Sequence, residues 1–256
     1  MKSGIKVTVI TPSYNQGQFI EETILSVLKQ TYKNIQYIVV DGGSTDNTME
    51  VVNKYKDQID IIINEKDNGQ SDAINKGFKL AKGELVGWIN SDDILHPECV
   101  KRVFDTYKEK PDGAIYYNKM NTVIDAEGRI LKTYEKSIPD RHYLLTNNYD
   151  VVQQGSFYQT RLVEKIGYCN ENIHYCMDLD LWLRLLNHGP IYNVSDIPSA
   201  GFRIWEGTKT STGKQKFLKN IREVLLDNGA KYHNKSVRTT YWFTLKANIK
   251  DFLRLQ

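Results

Sequence analysis

Four polar residues, Asn90-Ser91-Asp92-Asp93, follow directly on the apolar run of residues 85–89. That run is typical of a buried β-strand, so two adjacent carboxylates are predicted at a strand end, where they repel each other and lose hydration. Mg²⁺ or Mn²⁺ would offset the repulsion, because such cations take one or two carboxylates together with phosphate oxygens and water. A helix N-cap is the alternative interpretation, but it accounts for one aspartate better than for two. The motif therefore predicts a cation that carries a diphosphate.

A second acidic loop, "VVDGGSTD", places Asp41 directly after the apolar run 35–40. Asp-Gly is a common hairpin turn, but the residues after it, 48–56, have a helical rather than a strand pattern. Ser44 or Asp46 could cap that helix. Asp41 is therefore predicted at a strand tip in a βα loop, where a carboxylate can accept hydrogen bonds from a base such as uracil.

The first half of the chain alternates strand-like and helical segments. Strands are predicted at 6–11, 35–40, 59–64 and 84–90, and helices at 19–30, 48–56 and 71–83. This alternation predicts right-handed crossovers and a doubly wound, mostly parallel α/β sheet with helices on both faces. Ligands bind beyond the carboxyl ends of the strands in such sheets, and the polar loops 11–15, 41–48, 64–72 and 90–93 all fall there. They are expected to outline one cleft.

The second half of the chain has a different pattern. It predicts a helix over 96–113, strands over 114–125 and 128–136 around a turn at Glu127-Gly128, a helix over 177–189 and a strand over 201–205. Without an internal repeat or a low-complexity linker, one compact unit is expected.

Charge is concentrated at the C-terminal end. The net charge is +3, yet residues 214–256 hold ten Lys/Arg against three Asp/Glu. The basic segment is either a solvated helical face or a surface that rests peripherally on the anionic inner face of a membrane. The small net charge and the absence of a recognisable motif argue against nucleic acid. Three cysteines without a CxxC pair, no signal sequence and no long apolar run predict a cytoplasmic protein, and homo-oligomerisation is left open.

Three phrases carry a resemblance to a known family. "ITPSYNQGQFIEETILSVLKQTYKNIQYIVVDGGSTDNT", "NGQSDAINKGF" and "GELVGWINSDD" resemble the family 2 nucleotide-sugar glycosyltransferases of the GT-A fold, densely over 5–100 and more sparsely to about 212. The resemblance implies a single GT-A domain over 1–213, with a nucleotide-sugar-binding half (1–110) and an acceptor-side half (111–213). Residues 214–256 would form a basic, amphipathic helical tail.

The resemblance also implies roles for individual residues. Pro12, Tyr14 and Asp41 would hold the base, Asp92 the ribose and Asp93 the metal, Mg²⁺ or Mn²⁺. Gln70, Asp72 and Asn90 would line the donor cleft.

A late phrase, "YCMDLDLWLRL", resembles the family motif that supplies the general base of an inverting mechanism. Asp178 matches the base, while Met177 replaces the glutamate that commonly precedes it. A carboxylate at a helix start can accept the proton of an attacking hydroxyl. Helix capping is the other interpretation, and Asp180 competes for either role.

One phrase departs from the family pattern. In "FRIWEGTKTST", Trp205 stands where many relatives carry a histidine that contacts metal or phosphate. The third protein ligand is therefore in doubt, with Glu206 or water as substitutes. Arg203 and Lys209 are either diphosphate contacts or ordinary surface charge.

The resemblance implies an inverting transfer of sugar from a nucleotide-sugar, a UDP-sugar above all, to a glycan, lipid-linked or protein-linked acceptor. The product would belong to surface polysaccharide, lipid-linked glycan or glycoprotein assembly, and Gln153, Gln154 and Tyr158 are candidates to face the acceptor. A catalytically weak or inactive nucleotide-sugar-binding scaffold of the same fold is the alternative. A haloacid-dehalogenase-like phosphatase would need a second aspartate where Gly43 stands, and a Rossmann dehydrogenase would need GxGxxG after its first strand.

Overall fold

The structure is a computed structural model that describes residues 6–254, with side-chain surroundings given outside 209–214 and 248–254. The described elements are, in chain order, β1 (Val7–Ser13), α1 (Ile20–Leu28), β2 (Ile35–Asp41), α2 (Thr48–Asn53), β3 (Ile61–Asn64), α3 (Gln70–Leu80), β4 (Leu85–Trp88), β5 (Ile94–Leu95), α4 (Cys99–Glu109), β6 (Ile115–Tyr117), β7 (Met120–Ile124), β8 (Ile130–Glu135), α5 (Arg141–Thr146), β9 (Phe157–Gln159), α6 (Thr160–Lys165), α7 (Met177–Leu185), β10 (Ile191–Asn193), β11 (Ala200–Arg203), α8 (Lys209–Asp227) and α9 (Lys235–Arg254).

The predicted α/β sheet forms around β1. Seven strands lie in the order β10-β6-β9-β4-β1-β2-β3, and β1 pairs in parallel with both β2 and β4. All seven residues of β1 are buried, as expected for a parallel strand covered on both faces. The prediction of a doubly wound, mostly parallel sheet is therefore confirmed.

Helices cover this sheet on both faces because successive side chains of each strand point to opposite sides. Ile10 belongs to one buried cluster, together with Ile74 of α3 and Trp182 of α7. Val9 belongs to the other cluster, together with Ile24 of α1. The apolar alternation of helix and strand thus builds two core layers, one on each face.

One strand of the large sheet runs against the others. β9 lies between β4 and β6 and is antiparallel to both. Gly87 of β4 allows this close approach, since a Cβ there would come 2.5 Å from the carbonyl oxygen of Ser156. The sequence did not predict this insertion, because nothing local marks a three-residue strand as the partner of a segment some 70 residues earlier.

The single strand predicted over 114–125 is wrong in the structure. β6 belongs to the large sheet, whereas β7 belongs to a second sheet of order β5-β11-β7-β8. The chain changes sheets at the fully buried Asn118, whose side-chain amide donates to the carbonyl oxygen of Ile197 at 2.7 Å. The hairpin after β7 does turn at the predicted place, where Gly128 has a positive φ of 78°.

The helix predicted over 71–83 ends earlier, at Leu80. A Cβ on Gly83 would lie 2.6 Å from the backbone nitrogen of Thr8, so the chain here runs tight against the start of β1. Gly83 therefore serves this close approach rather than ending the helix.

The predicted helical tail packs on the body of the protein. Ile221, Val224 and Leu225 of α8 and Val237 of α9 belong to the same buried cluster as Trp182. The division at residues 213 and 214 stays a prediction, with α8 beginning at Lys209. Among the residues that the structure describes, no helix is long and apolar enough to cross a membrane.

Candidate active site

Two loops at the carboxyl ends of β1 and β2 are bonded into one wall. The backbone nitrogen of Asn15 donates to Ser44 Oγ at 2.7 Å, and Thr45 nitrogen donates to Asn15 Oδ1 at 2.8 Å. Asn15 adopts a left-handed φ of 51°, a conformation that asparagine tolerates well. Beside it Tyr14 is 59% exposed, whereas Pro12 is buried within β1. Of these two, Tyr14 alone has a ring free to meet a ligand.

Asp41 shapes this wall. The carboxylate is fully buried, and Oδ1 accepts from the backbone nitrogens of Gly43 (3.1 Å) and Ser44 (2.8 Å). Oδ2 accepts from Ser44 Oγ at 2.6 Å. Asp41 thus fixes the turn whose Ser44 and Thr45 are hydrogen-bonded to Asn15. The predicted contact of Asp41 with the base stays a prediction.

A polar network runs across the edge of the sheet between α3 and β4. Gln70 Nε2 donates to Asn90 Oδ1 at 2.8 Å, and Asn90 Nδ2 donates to Asp93 Oδ2 at 3.1 Å. Gln154 Nε2 joins the same oxygen at 3.1 Å. The structure therefore brings together three residues predicted at the site and Gln154, which was a candidate to face the acceptor.

Asp72 has a different surrounding. Its Oδ2 accepts from the backbone nitrogen of Asn68 at 2.9 Å and lies 3.8 Å from Lys76 Nζ. These contacts fix the turn before α3 and do not connect Asp72 to the network of Gln70. Its predicted place in the donor cleft stays a prediction.

The surroundings of Asp93 do not suit the cation contact predicted for it. Its side chain is fully buried, Oδ1 accepts from the backbone nitrogen of Arg203 at 2.8 Å, and Oδ2 accepts from the two amides of the network. Burial and the neighbouring charge of Asp92 raise the pKa of Asp93 to about 8. Through these hydrogen bonds, Asp93 links the loop after β4 to the end of β11. Of the two carboxylates, Asp92 is half-buried and the more open to a ligand, and the ribose contact predicted for it stays a prediction.

Asp92 lies at the surface of the cleft, in contact with the end of β11. Its Oδ2 accepts from Trp205 Nε1 at 2.9 Å. Burial raises the pKa of Asp92, and the indole hydrogen bond opposes that rise. Asp92 is thus the acidic group of the motif whose charge is partly open to a ligand.

The donor set around Asp92 fits a cation only when a ligand brings further oxygens. Within the described ranges, no group of three or more His, Cys, Asp or Glu side chains could hold a metal ion. Mg²⁺ in proteins often has only one or two carboxylate ligands, with phosphate oxygens and water in the other positions. One carboxylate is compatible with a cation that arrives with a diphosphate.

Arg203 anchors this region from within. It is fully buried, its Nε donates to the carbonyl oxygen of Asp92 at 2.7 Å, and its Nη2 pairs with Glu22 at 2.5 Å. Its Nη1 donates to the carbonyl oxygens of Asp125 and Ala126 at 3.0 and 2.8 Å. The interpretation of Arg203 as a diphosphate contact or a surface charge is therefore wrong. The side chain of Lys209 lies outside the described residues.

The sequence feature that could have indicated the buried role of Arg203 is its position in the middle of an apolar strand pattern. "GFRI" alternates too little to show which face is buried, and the acceptors of Arg203 come from sequence positions 22 to 126. Its partners therefore become visible only in three dimensions.

The two acidic residues at the start of α7 differ in burial and in their hydrogen-bond partners. Asp180 is buried and accepts from Arg184 Nε at 2.8 Å, and Arg184 also donates to the carbonyl oxygens of Ile166 and Tyr168. Asp178 is half-buried, and its Oδ1 accepts from the backbone nitrogen of Leu179 at 2.9 Å. Asp180 is a structural ion-pair residue, which leaves Asp178 as the candidate base.

The segment before α7 reaches the donor side of the site. Ser71, the residue after Gln70 in α3, donates through its Oγ to the carbonyl oxygen of Ile173 at 3.4 Å. The loop that leads into α7 and Asp178 therefore contacts the start of α3. The predicted acceptor-facing role of Tyr158 is wrong, because its ring is fully buried and its hydroxyl accepts from Trp182 Nε1.

Comparison with known proteins identifies relatives of this arrangement. The chain is 30% identical over 195 residues to the uncharacterized glycosyltransferase RT0329 of Rickettsia typhi, covering 73% of this chain and 60% of that protein. It is 28% identical over 242 residues to the UDP-Glc:alpha-D-GlcNAc-diphosphoundecaprenol beta-1,3-glucosyltransferase WfaP of Escherichia coli, with 92% of each chain covered. The chain thus spans about 60% of the first relative's length and most of the second's.

Solved structures share the fold. S. aureus TarS 1-349 in complex with UDP-GlcNAc superposes with a TM-score of 0.66 at 21% identity, covering 94% of this chain and 70% of that one. The mannosyltransferase PcManGT from Pyrobaculum calidifontis, in complex with GDP-Man and Mn²⁺, superposes with a TM-score of 0.68 at 15% identity, covering 97% and 74%. The family model described as glycosyl transferase family 2 matches residues 8–167. Since that match covers more than half of the sequence and includes the loops of Tyr14, Asp41 and Asp92, the chain belongs to glycosyl transferase family 2 and has the GT-A fold.

Proposed function

We propose that this protein is a glycosyltransferase that moves a sugar, with inversion, from a UDP-sugar to a hydroxyl of a lipid-linked glycan. One observation carries the proposal. The exposed ring of Tyr14 and the half-buried Asp92 lie at the carboxyl edge of the parallel strands, where α/β sheets bind their ligands, and the loop that leads into α7 and Asp178 contacts the start of α3. The UDP-GlcNAc complex of TarS and the UDP-Glc donor in the name of WfaP support the choice of donor.

The chain's own residues supply binding, orientation and a proton acceptor. Tyr14 and the loop built by Asp41 hold the nucleoside, and Gln70 and Asn90 border the donor sugar. Asp178 takes the proton of the acceptor hydroxyl while the oxygen of that hydroxyl bonds to the anomeric carbon. The bond from that carbon to the diphosphate breaks on the opposite face, and the nucleoside diphosphate leaves with the bonding electrons. Mg²⁺ or Mn²⁺ held at Asp92 would stabilise the negative charge of the departing diphosphate.

Tyr14→Ala is expected to raise the Kd for UDP by about 5- to 150-fold, because stacking of a base on an aromatic ring contributes about 1–3 kcal/mol. Tyr14 is more than half exposed, so the fold loses little with its ring. Isothermal titration calorimetry with UDP measures the change. Tyr14→Phe is the control, since it keeps the ring and should bind like the parent.

The same titrations test the proposed function. The parent protein is expected to bind UDP-sugars and to release UDP slowly from one of them in the absence of acceptor. A parent that binds no sugar nucleotide with or without Mn²⁺ would refute the proposal. Binding without release or transfer would support the scaffold alternative.

The outer face of α9 fits a membrane surface. Four neighbouring side chains, Tyr241, Trp242, Phe243 and Leu245, are 47%, 50%, 42% and 56% exposed. The inner face is occupied, because Val237 is in the core and Ser236 Oγ donates to the carbonyl oxygen of Leu145. Aromatic side chains with exposed faces are typical of the interface between lipid and water.

Cations surround these rings. Lys246 Nζ lies 3.6 Å from the centroid of the Trp242 ring, and Lys235, Arg238 and Trp242 line a surface hollow of about 420 Å³. Residues 228–250 contain no aspartate or glutamate. This charge is complementary to an anionic leaflet, where each lysine or arginine contributes about 1 kcal/mol. We therefore propose that α9 rests peripherally on anionic lipid, beside a membrane-anchored acceptor.

Trp242→Ser together with Phe243→Ser is expected to lower the affinity for vesicles containing phosphatidylglycerol at least about tenfold, since two large apolar side chains lose their burial. Vesicle co-sedimentation at low and high salt measures the loss, and salt should weaken the parent's binding. Ile130→Ser with Leu131→Ser is the matched control, because these two apolar residues of β8 are 62% and 59% exposed, at least as much as Trp242 and Phe243. A change in molecular mass without a change in vesicle binding would instead assign the face to a second copy of the chain.

A further inference from the structure

The residue that meets Asp92 can hold the carboxylate but not a cation. Trp205 Nε1 donates to Asp92 Oδ2 at 2.9 Å. An indole N–H is a donor only, with no lone pair to offer a metal. At this position the chain therefore has a hydrogen-bond donor in place of a metal ligand.

The indole is fixed on both sides. Phe19 meets it edge to face with ring centroids 5.1 Å apart. Gly207 lies against the other part of the ring, since a Cβ there would come 2.2 Å from a ring carbon. The backbone nitrogen and the hydroxyl of Thr208 both donate to the carbonyl oxygen of Trp205 at 3.2 Å. The direction of the N–H toward Asp92 is thus set by packing and by the turn that follows β11.

The strand that carries Trp205 is tied to the same motif. Two residues earlier, Arg203 binds the carbonyl oxygen of Asp92 and, through its backbone nitrogen, Asp93 Oδ1. The indole and the carboxylate therefore belong to one rigid unit.

Neighbouring acids add little to Asp92. Asp93 is enclosed by its own hydrogen bonds, and Glu22 is paired with Arg203. In the part of the chain that the structure describes, no set of three potential metal-binding side chains exists. A six-coordinate cation would therefore take most of its oxygens from a diphosphate and water.

We propose that Trp205 is a positioning residue that fixes Asp92 as a ligand through one oxygen, so that a divalent cation binds this chain only together with the nucleoside diphosphate. The hydrogen bond occupies Oδ2, so Oδ1 is the oxygen that would hold a cation; hydrogen-bonded neighbours commonly orient metal-binding carboxylates in this way. The inference rests on the proposed binding of UDP.

Electron paramagnetic resonance of free Mn²⁺ tests the first part of the proposal. With the parent protein, the signal of free Mn²⁺ should stay unchanged without nucleotide and, when UDP is added, fall further than it does in Mn²⁺ and UDP without protein. Retention of Mn²⁺ by the parent without UDP would overturn the proposal.

Trp205→Phe tests the role of the indole. The variant keeps a ring between Phe19 and Gly207 but loses the N–H, so the affinity for Mn²⁺ with UDP should fall about 10- to 100-fold. The Kd for UDP in EDTA should not change, which a general loss of structure would not allow. Tyr232→Phe, at a ring that is 68% exposed, is the surface control.

The outcomes separate the two proposals. Equal Mn²⁺-dependent affinity in the parent and in Trp205→Phe would refute the role of Trp205 while UDP binding stands. A parent that binds no UDP in EDTA or in Mn²⁺ would overturn the nucleotide assignment and this inference with it.

Discussion

Asp178→Asn is expected to lower the rate of sugar transfer about 10²- to 10⁴-fold, the usual contribution of a general base. The amide cannot accept the proton of the attacking hydroxyl, yet it has nearly the same size and can still accept the hydrogen bond from the backbone nitrogen of Leu179. Affinity for UDP and thermal stability should therefore stay close to those of the parent. A transfer assay and UDP calorimetry on the same preparations measure the separation.

Asp180→Asn is the matched control, two residues further along α7. Asp180 is buried and paired with Arg184, so its replacement should lower the unfolding midpoint. Transfer per folded molecule should change little, because Asp180 faces Arg184 rather than the cleft. Transfer by Asp178→Asn at the parental rate would show that another group removes the proton.

Arg203→Met is expected to lower the free energy of unfolding by about 3–5 kcal/mol, because three carbonyl oxygens lose the guanidinium that donates to them and each unsatisfied buried acceptor costs about 1–3 kcal/mol. The carbonyl oxygens of Asp92, Asp125 and Ala126 would lose their donor, and Glu22 its cation. For a chain of this size, about 2–4 °C per kcal/mol corresponds to a midpoint roughly 6–20 °C lower. Calorimetric or fluorescence melting measures the shift.

Arg129→Met is the control that separates the loss of the buried contacts of Arg203 from the loss of one positive charge. Arg129 lies on the surface and pairs with Asp125 and Glu127, and exposed pairs are screened by solvent and salt. Its midpoint should stay near that of the parent. If both variants melted at the same temperature, Arg203 would not be the anchor that its contacts describe.

Several features of the fold follow from local patterns that any reader of the chain can see. The alternation over residues 6–90 specifies right-handed βαβ units, and polar loops at strand ends must then share one edge. The mostly parallel sheet and the site edge were predicted for this reason. The short β9 and the change of sheet at Asn118 were not, because both depend on partners far away in the sequence.

The sequence by itself determined which loops share the carboxyl edge of the parallel strands, since the positions of strands, helices and loops over residues 6–90 follow from hydrophobic periodicity and turn residues. Only the tertiary structure decided which member of each acidic pair is enclosed by other groups and which stays partly exposed. Asp92 and Asp93 differ because Gln154 and Arg203, 61 and 110 residues beyond Asp93, enclose Asp93. Asp178 and Asp180 differ because Arg184 turns to Asp180. Adjacent carboxylates are chemically alike along the chain, and burial and hydrogen-bond partners brought by folding give each its own charge and exposure.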